Sequence, residues 1–397
     1  MRKLEAMGQI RNWKLEIGNL EKEILSTLQY FLFFNYPPTF EEIYTFLRIR
    51  ASKRQITGIL EKMKKRGIVT TNNKIQSTRN KQYLNKNDLK IKNLDFNINF
   101  NPFGKLRIDT EQSRSIKFQI SNSDRAYRYT LGEYIKNNNQ QSTINNYLKR
   151  QQISINKLSS WKFNLYVKLL SLVPSVKLVG LSGSVAMLNA DDDHDIDLFI
   201  ITAKNRLWIG RFVALLLAQL LRIRRARHSG KRSASWRRAR PESSLDSGVP
   251  FDSAQGPQND AQKHKNKVCL NLFFDESDLK IPKFKQTEYV AHEILQMKPL
   301  VDKDGTYLMF IDTNKWVFDI FPNAKNDYRG LLTDYRRYYN PRKSVSHPWR
   351  SIFNKIEQVL KKLQLSFIRK HQTSEIVTDF QLWFHPDDFE KKMKFKR

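Results

Sequence analysis

The sequence predicts an α+β fold in three parts: a small N-terminal helical unit, a central mixed sheet, and a helical C-terminal region. Three observations carry this. Two helix-start signals, Thr39-Phe40-Glu41-Glu42 and Ser52-Lys53-Arg54-Gln55, each set a hydroxyl residue three positions before Glu or Gln. Two apolar runs, 176–179 and 198–201, bracket Gly183-Ser184 and Asp195-Ile196-Asp197. Residues 348–369 repeat apolar side chains at helical spacing, with lysines opposite.

In chain order, residues 20–34 carry Ile24, Leu25, Leu28, Phe31 and Leu32 as one helical stripe, stopped by Pro37-Pro38. A second helix opens at Thr39 with Ile43, Phe46 and Leu47 inward. A third opens at Ser52 with Ile56, Ile59, Leu60 and Met63 on one face, and Gly67 caps it. Residues 68–70 and 74–76, joined at Asn72-Asn73, read as a local hairpin. This unit spans 18–85. Residues 86–154 read as a linker or irregular insertion and helix: 95–103 alternate like a strand, but Pro102 and Gly104 break it, and 137–141 is an Asn/Gln tract.

The central unit is expected over 155–278. Trp161, Leu165, Val167, Leu169 and Leu172 form an apolar face ending at Pro174, and the two bracketing strands follow. Residues 206–223 predict a buried apolar helix and 268–274 a third strand. Between them, 224–267 has almost no aliphatic residues and a basic run, predicting a disordered basic insertion. In 279–397, helices are expected at 287–297, stopped by Pro299, at 307–321 and at 348–369, before a frayed basic tail.

A chain of 397 residues holds two or three domains, and 40% hydrophobic with 12% aromatic residues excludes overall disorder. Lys and Arg total 70 against 39 Asp and Glu, a net charge of +31, which suits a polyanionic partner such as nucleic acid or nucleotides. A host with a basic or A/T-biased proteome gives the same excess. Cys269 is the lone cysteine, which excludes an intrachain disulfide and predicts a reducing cytoplasm. The opening residues lack a signal peptide's apolar core. The most apolar run, 212–221, is too short to span a bilayer and is flanked by Arg211 and Arg222, so no membrane partner is expected.

The chemistry concentrates at 176–202. Successive strand side chains alternate faces, so Asp195 and Asp197 point together while Ile196 and Leu198 point into the core. Two carboxylates beside a Gly-Ser turn that opens a helix suit a divalent cation and a nucleotide's phosphates. Lys204 and Arg206 lie just past the strand, where they either meet nucleotide charge or begin a solvated helix. Asp191, Asp192 and Asp193 before His194 either broaden the metal site or form a solvated turn. His292-Glu293 begins a zinc-binding HExxH, but Gln296 replaces the second His, so His292 is expected to pack.

The order of strand, Gly183-Ser184 turn, short helix, Asp195-Ile196-Asp197 strand, apolar helix and third strand resembles the minimal core of the DNA polymerase β-like nucleotidyltransferase superfamily. The likeness covers 176–274 less the basic insertion. The wider layout resembles a group of uncharacterised bacterial proteins with an N-terminal winged helix and this core, on GLSGSVAMLNA, DIDLFIITAKNRLWIGRF, VCLNLFF, AHEILQMKPL and NKWVFDIFPNA. The resemblance implies that Asp195 and Asp197 ligate Mg²⁺ (or Mn²⁺), that Gly183 and Ser184 hold the phosphates of an NTP, and that a nucleoside monophosphate moves to a hydroxyl acceptor. It also implies a third carboxylate on the next strand. Residues 268–274 offer Asn271 there, a poorer Mg²⁺ ligand, with Asp275 and Glu276 only at the strand's end.

The three N-terminal helices and hairpin resemble a winged helix-turn-helix. That implies a recognition helix with Lys53 and Arg54, and Lys62, Lys64, Lys65 and Arg66 at its end, against DNA or RNA. Such units serve equally as protein-interaction or packing modules. Two functional readings therefore stand: a Mg²⁺-dependent nucleotidyltransferase, and a nucleic-acid-binding regulator whose transferase-like core is catalytically weakened.

Overall fold

A computed structural model of the chain describes residues 2–72, 128–131, 140–225, 266–338, 350–370 and 376–384. The fold is α+β, with helices around a six-stranded mixed sheet.

The N-terminal unit holds α1 (Arg2–Phe33), α2 (Phe40–Thr45) and α3 (Lys53–Lys65). Both capping boxes form. Thr39 Oγ1 accepts the Glu42 N–H while a Glu42 carboxylate oxygen accepts the Thr39 N–H, and Ser52 and Gln55 repeat the exchange. These caps satisfy N–H groups that the first helical turn leaves free, so a four-residue signal suffices to start each helix. Leu20, Ile24 and Leu28 pack on Ile43, Leu47, Ile56, Leu60 and Met63. Gly67, at φ +71°, ends α3.

The strand after it pairs with a segment distant in the chain. β1 (Val69–Asn72) pairs antiparallel with β2 (Arg128–Leu131), Val69 opposite Leu131 and Asn72 opposite Arg128. The expected second arm, 74–76, lies outside the described residues, as does the alternating stretch 95–103. Buried side chains help hold β2 here, Arg128 foremost. Arg128, 1% exposed, donates to the Pro37 carbonyl at 2.8 Å and lies over the Tyr36 and Tyr147 rings. Tyr129 N–H adds a bond to the Pro38 carbonyl. Contacts so distant in sequence leave no local trace.

The boundary expected between 154 and 155 falls within α4 (Gln140–Leu158). Ser159-Ser160 separates it from α5 (Trp161–Leu172), whose Trp161 and Leu172 are exposed at 64% and 69% rather than part of the core face. Then come β3 (Val176–Ser182), α6 (Gly183–Ala186), β4 (Ile196–Thr202), α7 (Leu207–Leu220) and β5 (Val268–Asp275). β3 runs antiparallel to β4, and β4 parallel to β5 through the α7 crossover. The basic insertion expected at 224–267 lies outside the described residues apart from its ends, 224–225 and 266–267.

The C-terminal region was expected to be helical. It supplies α8 (Glu288–Gln296), β6 (Lys298–Asp302), α9 (Thr306–Thr313), α10 (Val317–Ile320), α11 (Ala324–Tyr338), α12 (Arg350–Arg369), β7 (Ile376–Val377) and β8 (Gln381–Trp383). Its strands complete the sheet at both ends, in the order β6-β3-β4-β5-β8-β7. Pro299, expected to stop a helix, sits in β6, where an edge strand needs no donor on its open side. Residues 307–321, expected as one helix, break into α9 and α10 at Asn314, which is fully buried and donates to the Leu279 and Phe310 carbonyls.

Alternation along β4 divides the core. Ile196, Leu198 and Ile200 pack with Val179, Leu181, Tyr166 and Trp208 on one sheet face. Phe199 and Ile201 pack with Leu178, Phe274, Phe310 and Ile294 on the other. Strands buried on both faces read as continuous apolar runs. The α7 helix is buried on one side only: Leu207, Trp208, Ala214 and Ala218 face inward, while Phe212, Leu216 and Leu220 are exposed. The α12 helix buries Glu357, Gln364 and Ile368 and exposes its apolar stripe.

Candidate carboxylate site

The site lies where β3 ends and β4 begins. Ser182 is paired with Asp197 across the antiparallel ladder, so the Gly183 turn closes directly over that carboxylate. Gly183 has φ +66°, and a Cβ there would stand 2.5 Å from Asp197 Oδ2. Only glycine satisfies both the left-handed backbone and the close approach. Beyond it, Ser184 Oγ is 3.0 Å from His194 Nδ1, which also accepts the Asp191 N–H at 3.3 Å. Because a backbone N–H can only donate, Nδ1 is the acceptor, the Ser184 hydroxyl donates, and a neutral ring carries its proton on Nε2. Lys157, from α4, clamps this loop by donating to the Asp192 and His194 carbonyls at 2.9 and 2.8 Å.

Asp195 forms an ion pair with Arg225 at 2.9 Å and is 12% exposed at its side chain. Asp197 stands opposite Cys269 on β5. Burial pushes Asp197 up to about 7, reinforced by the charges of Glu293 and Asp195 and opposed by Arg225. The Cys269 thiol is pushed up to about 12, by burial first and then by Asp197. Arg225 also approaches its sulfur at 3.7 Å.

The third carboxylate is Glu293, on α8. Its Oε2 accepts the Gly183 N–H at 3.3 Å, and burial pushes it up to about 7 against the hydrogen bonds from Gly183 and Tyr289. Its neighbour His292 explains its position. That ring is 2% exposed, stacked 3.9 Å from Tyr30 and 4.3 Å from Phe46, with Phe31 and Phe321 edge-on. Burial drives its pKa well below the ordinary histidine value. His292 therefore packs, as the incomplete zinc motif predicts, and its grip on the N-terminal helices fixes α8 with Glu293 against the turn. The sequence offered only a carboxylate beside an amphipathic histidine. Nothing local linked it to Gly183, 110 residues away.

Other expected residues stand elsewhere. A β-bulge lies between the pairs Asp197–Cys269 and Phe199–Leu272, and Asn271 in it accepts the Phe384 N–H through its carbonyl. Asp275 cannot substitute for a third acid. It pairs with Thr202 at the far end of the parallel strands, roughly 17 Å along β4 from Asp197. There it accepts the Arg206 N–H at the start of α7. Glu276 follows it at that same end, its carboxyl raised by burial. Lys204 and Arg206 are also at this end, away from the carboxylates, and Arg206 donates to Asn354 at 2.8 Å. Asp191, Asp192 and Asp193 are exposed on the turn.

On α3, Lys53 is held by Glu41 at 2.6 Å and lies over the Tyr44 ring, while Arg54 is exposed. Lys62, Lys64 and Lys65 are exposed in the last turn. Arg66 is paired with Glu21.

Among the described residues, no helix is long and apolar enough to cross a membrane, and no group of three or more His, Cys, Asp or Glu is arranged to hold a metal ion. Compared with known proteins, the chain matches no family model, no curated protein and no solved structure.

Proposed function

We propose that the chain is a Mg²⁺-dependent nucleotidyltransferase, moving a nucleoside monophosphate from an NTP to a hydroxyl acceptor. One observation carries the reading. Glu293 reaches the Gly183 N–H beside Asp197, and the charges of Glu293 and Asp195 both act on Asp197. Asn271 had left the sequence without a third acid, and Glu293 supplies one from another element.

The donor set fits Mg²⁺ in kind. Carboxylate oxygens are its preferred ligands, and a divalent cation would offset the burial that chiefly raises Asp197 and the like charges of Glu293 and Asp195. Asp195 and Asp197 would hold the metal, as the superfamily resemblance implies. When bound, it would lower the pKa of the attacking hydroxyl and offset the triphosphate's charge. The remaining work falls to the chain. The Ser184 hydroxyl, held by His194 Nδ1, would swing to donate to a phosphate oxygen beside the Gly183 turn. Glu293, poised near 7, takes the acceptor's proton. A bond forms from the acceptor oxygen to the α-phosphorus, the bond to the β-phosphate's bridging oxygen breaks, and pyrophosphate leaves.

The test is incubation of the full chain with radiolabelled NTPs, Mg²⁺ or Mn²⁺ and a cell extract. A labelled acceptor is expected, lost in Asp195→Asn and Asp197→Asn. Glu293→Gln is expected to slow transfer about 10²-fold while leaving NTP binding in place. Absence of Mg²⁺-dependent NTP binding, with both aspartate variants behaving as wild type, would sink the reading.

A further inference from the structure

The exposed apolar surface is concentrated. Among the described residues, thirteen large apolar side chains are exposed, three of them on α7 and six on α12, helices that pack against each other. Monomeric surfaces scatter such residues singly, and a contiguous patch marks a contact surface.

The helix pair is oriented by polar bonds, which leaves the apolar stripes outside. Glu357 of α12 accepts the Trp208 and Ile209 N–H groups at 2.8 and 2.9 Å, capping α7. Gln364 donates to the Trp208 carbonyl and accepts from Arg211. An amphipathic helix ordinarily turns its apolar face to the core. Here Ile352, Ile356, Val359 and Leu363 are 41–56% exposed. Their 4-3-4 spacing is that of a seam which receives another helix. On α7, Phe212, Leu216 and Leu220 are exposed at four-residue spacing.

Charge selects the occupant. Lys355 and Lys362 are exposed on α12, and Arg222 and Arg224 at the end of α7. Among the described acids beside them, Glu357 caps α7 and Asp379 pairs with Lys361 at 2.7 Å. A second copy would bring the same cations, on a chain of net charge +31, against these. The seam also places β-branched Ile352 and Val359 at d-type positions, where they favour three or more helices over two. Two helices are present, and one more completes such a layer. We propose that the α7–α12 face docks an acidic amphipathic helix of a partner protein.

The probe is a fluorescent synthetic peptide of three heptads, leucine at the seam positions and glutamate flanking them, titrated into the full chain and followed by anisotropy. Saturable binding is expected. It should fall at least about tenfold for a peptide with lysine flanks or a scrambled order. The pair Val359→Asp and Leu363→Asp, at exposed positions that leave the circular dichroism unchanged, should weaken it about tenfold or more. Lys355→Glu with Lys362→Glu should shift preference toward the lysine peptide. No saturable binding of the acidic peptide, or wild-type binding by the Val359/Leu363 variant, would overturn the proposal. So would binding to anionic phospholipid vesicles, or a dimer in sedimentation velocity, that this variant abolishes while the peptide does not bind.

Discussion

Gly183 concentrates the constraints of the site in one residue. Its φ of +66° and the 2.5 Å approach to Asp197 leave no room for a methyl group. Gly183→Ala should cost about 1–3 kcal/mol in urea unfolding and displace Asp197, abolishing Mg²⁺-dependent NTP binding with it. The carboxylates set a pH dependence of definite sign. Asp197 and Glu293 are raised to about 7 in the folded chain, so they bind more protons there than when unfolded between about 4 and about 7. Their contribution is full below the unfolded values and is lost as pH rises through 7. The metal-free protein should therefore melt at a lower temperature at pH 8 than at pH 5, and Asp197→Asn with Glu293→Gln should flatten that slope. Melting curves in both buffers, with and without the double substitution, decide it; an unchanged slope removes the buried-carboxylate account. Divalent cation affinity, measured separately by calorimetry, should rise with pH through the same region, because ligation needs the deprotonated forms.

Among the elements, the helix starts are settled by neighbours in sequence and the helix faces are not. Thr39 and Ser52 cap α2 and α3 through residues three positions away, so both boxes were legible before any packing was known. The orientation of α12 was not. Its apolar stripe was legible but not its direction: Glu357 and Gln364 turn inward because the start of α7 presents unpaired N–H groups that a carboxylate satisfies. Glu357→Ala should lower stability by about 1 kcal/mol, read as an earlier urea midpoint. Glu357→Gln should retain part of that, since an amide oxygen still accepts. Equal stability of all three chains would mean that the cap contributes nothing. The same replacement should leave NTP binding intact, because α12 joins the far end of β4 from Asp197.

At the scale of the molecule, buried amides lock the N-terminal unit to the rest. Asn323, fully buried, accepts the Ala51 N–H and donates to the Tyr44 and Ile49 carbonyls, while Asn189 donates to the Phe34 carbonyl. Asn323→Leu would strand those backbone groups without partners, at about 1–3 kcal/mol for each group left unsatisfied. Limited proteolysis should then cut between α2 and α3 faster than in the wild type; identical cleavage would show that the junction does not depend on Asn323. The N-terminal clamp also reaches the site, through His292 between Tyr30 and Phe46 and its neighbour Glu293 at the Gly183 turn. By itself the sequence determined the starts of α2 and α3, the β3 and β4 strands, and the pair Asp195 and Asp197, because caps, alternation and turn chemistry act over a few residues. Only the tertiary structure decided the partner of β1, the sheet edges drawn from the C-terminal region, the outward faces of α7 and α12, and the placement of Glu293 at the Gly183 turn. Each of these depends on contacts between segments far apart in the chain, which local patterns do not encode.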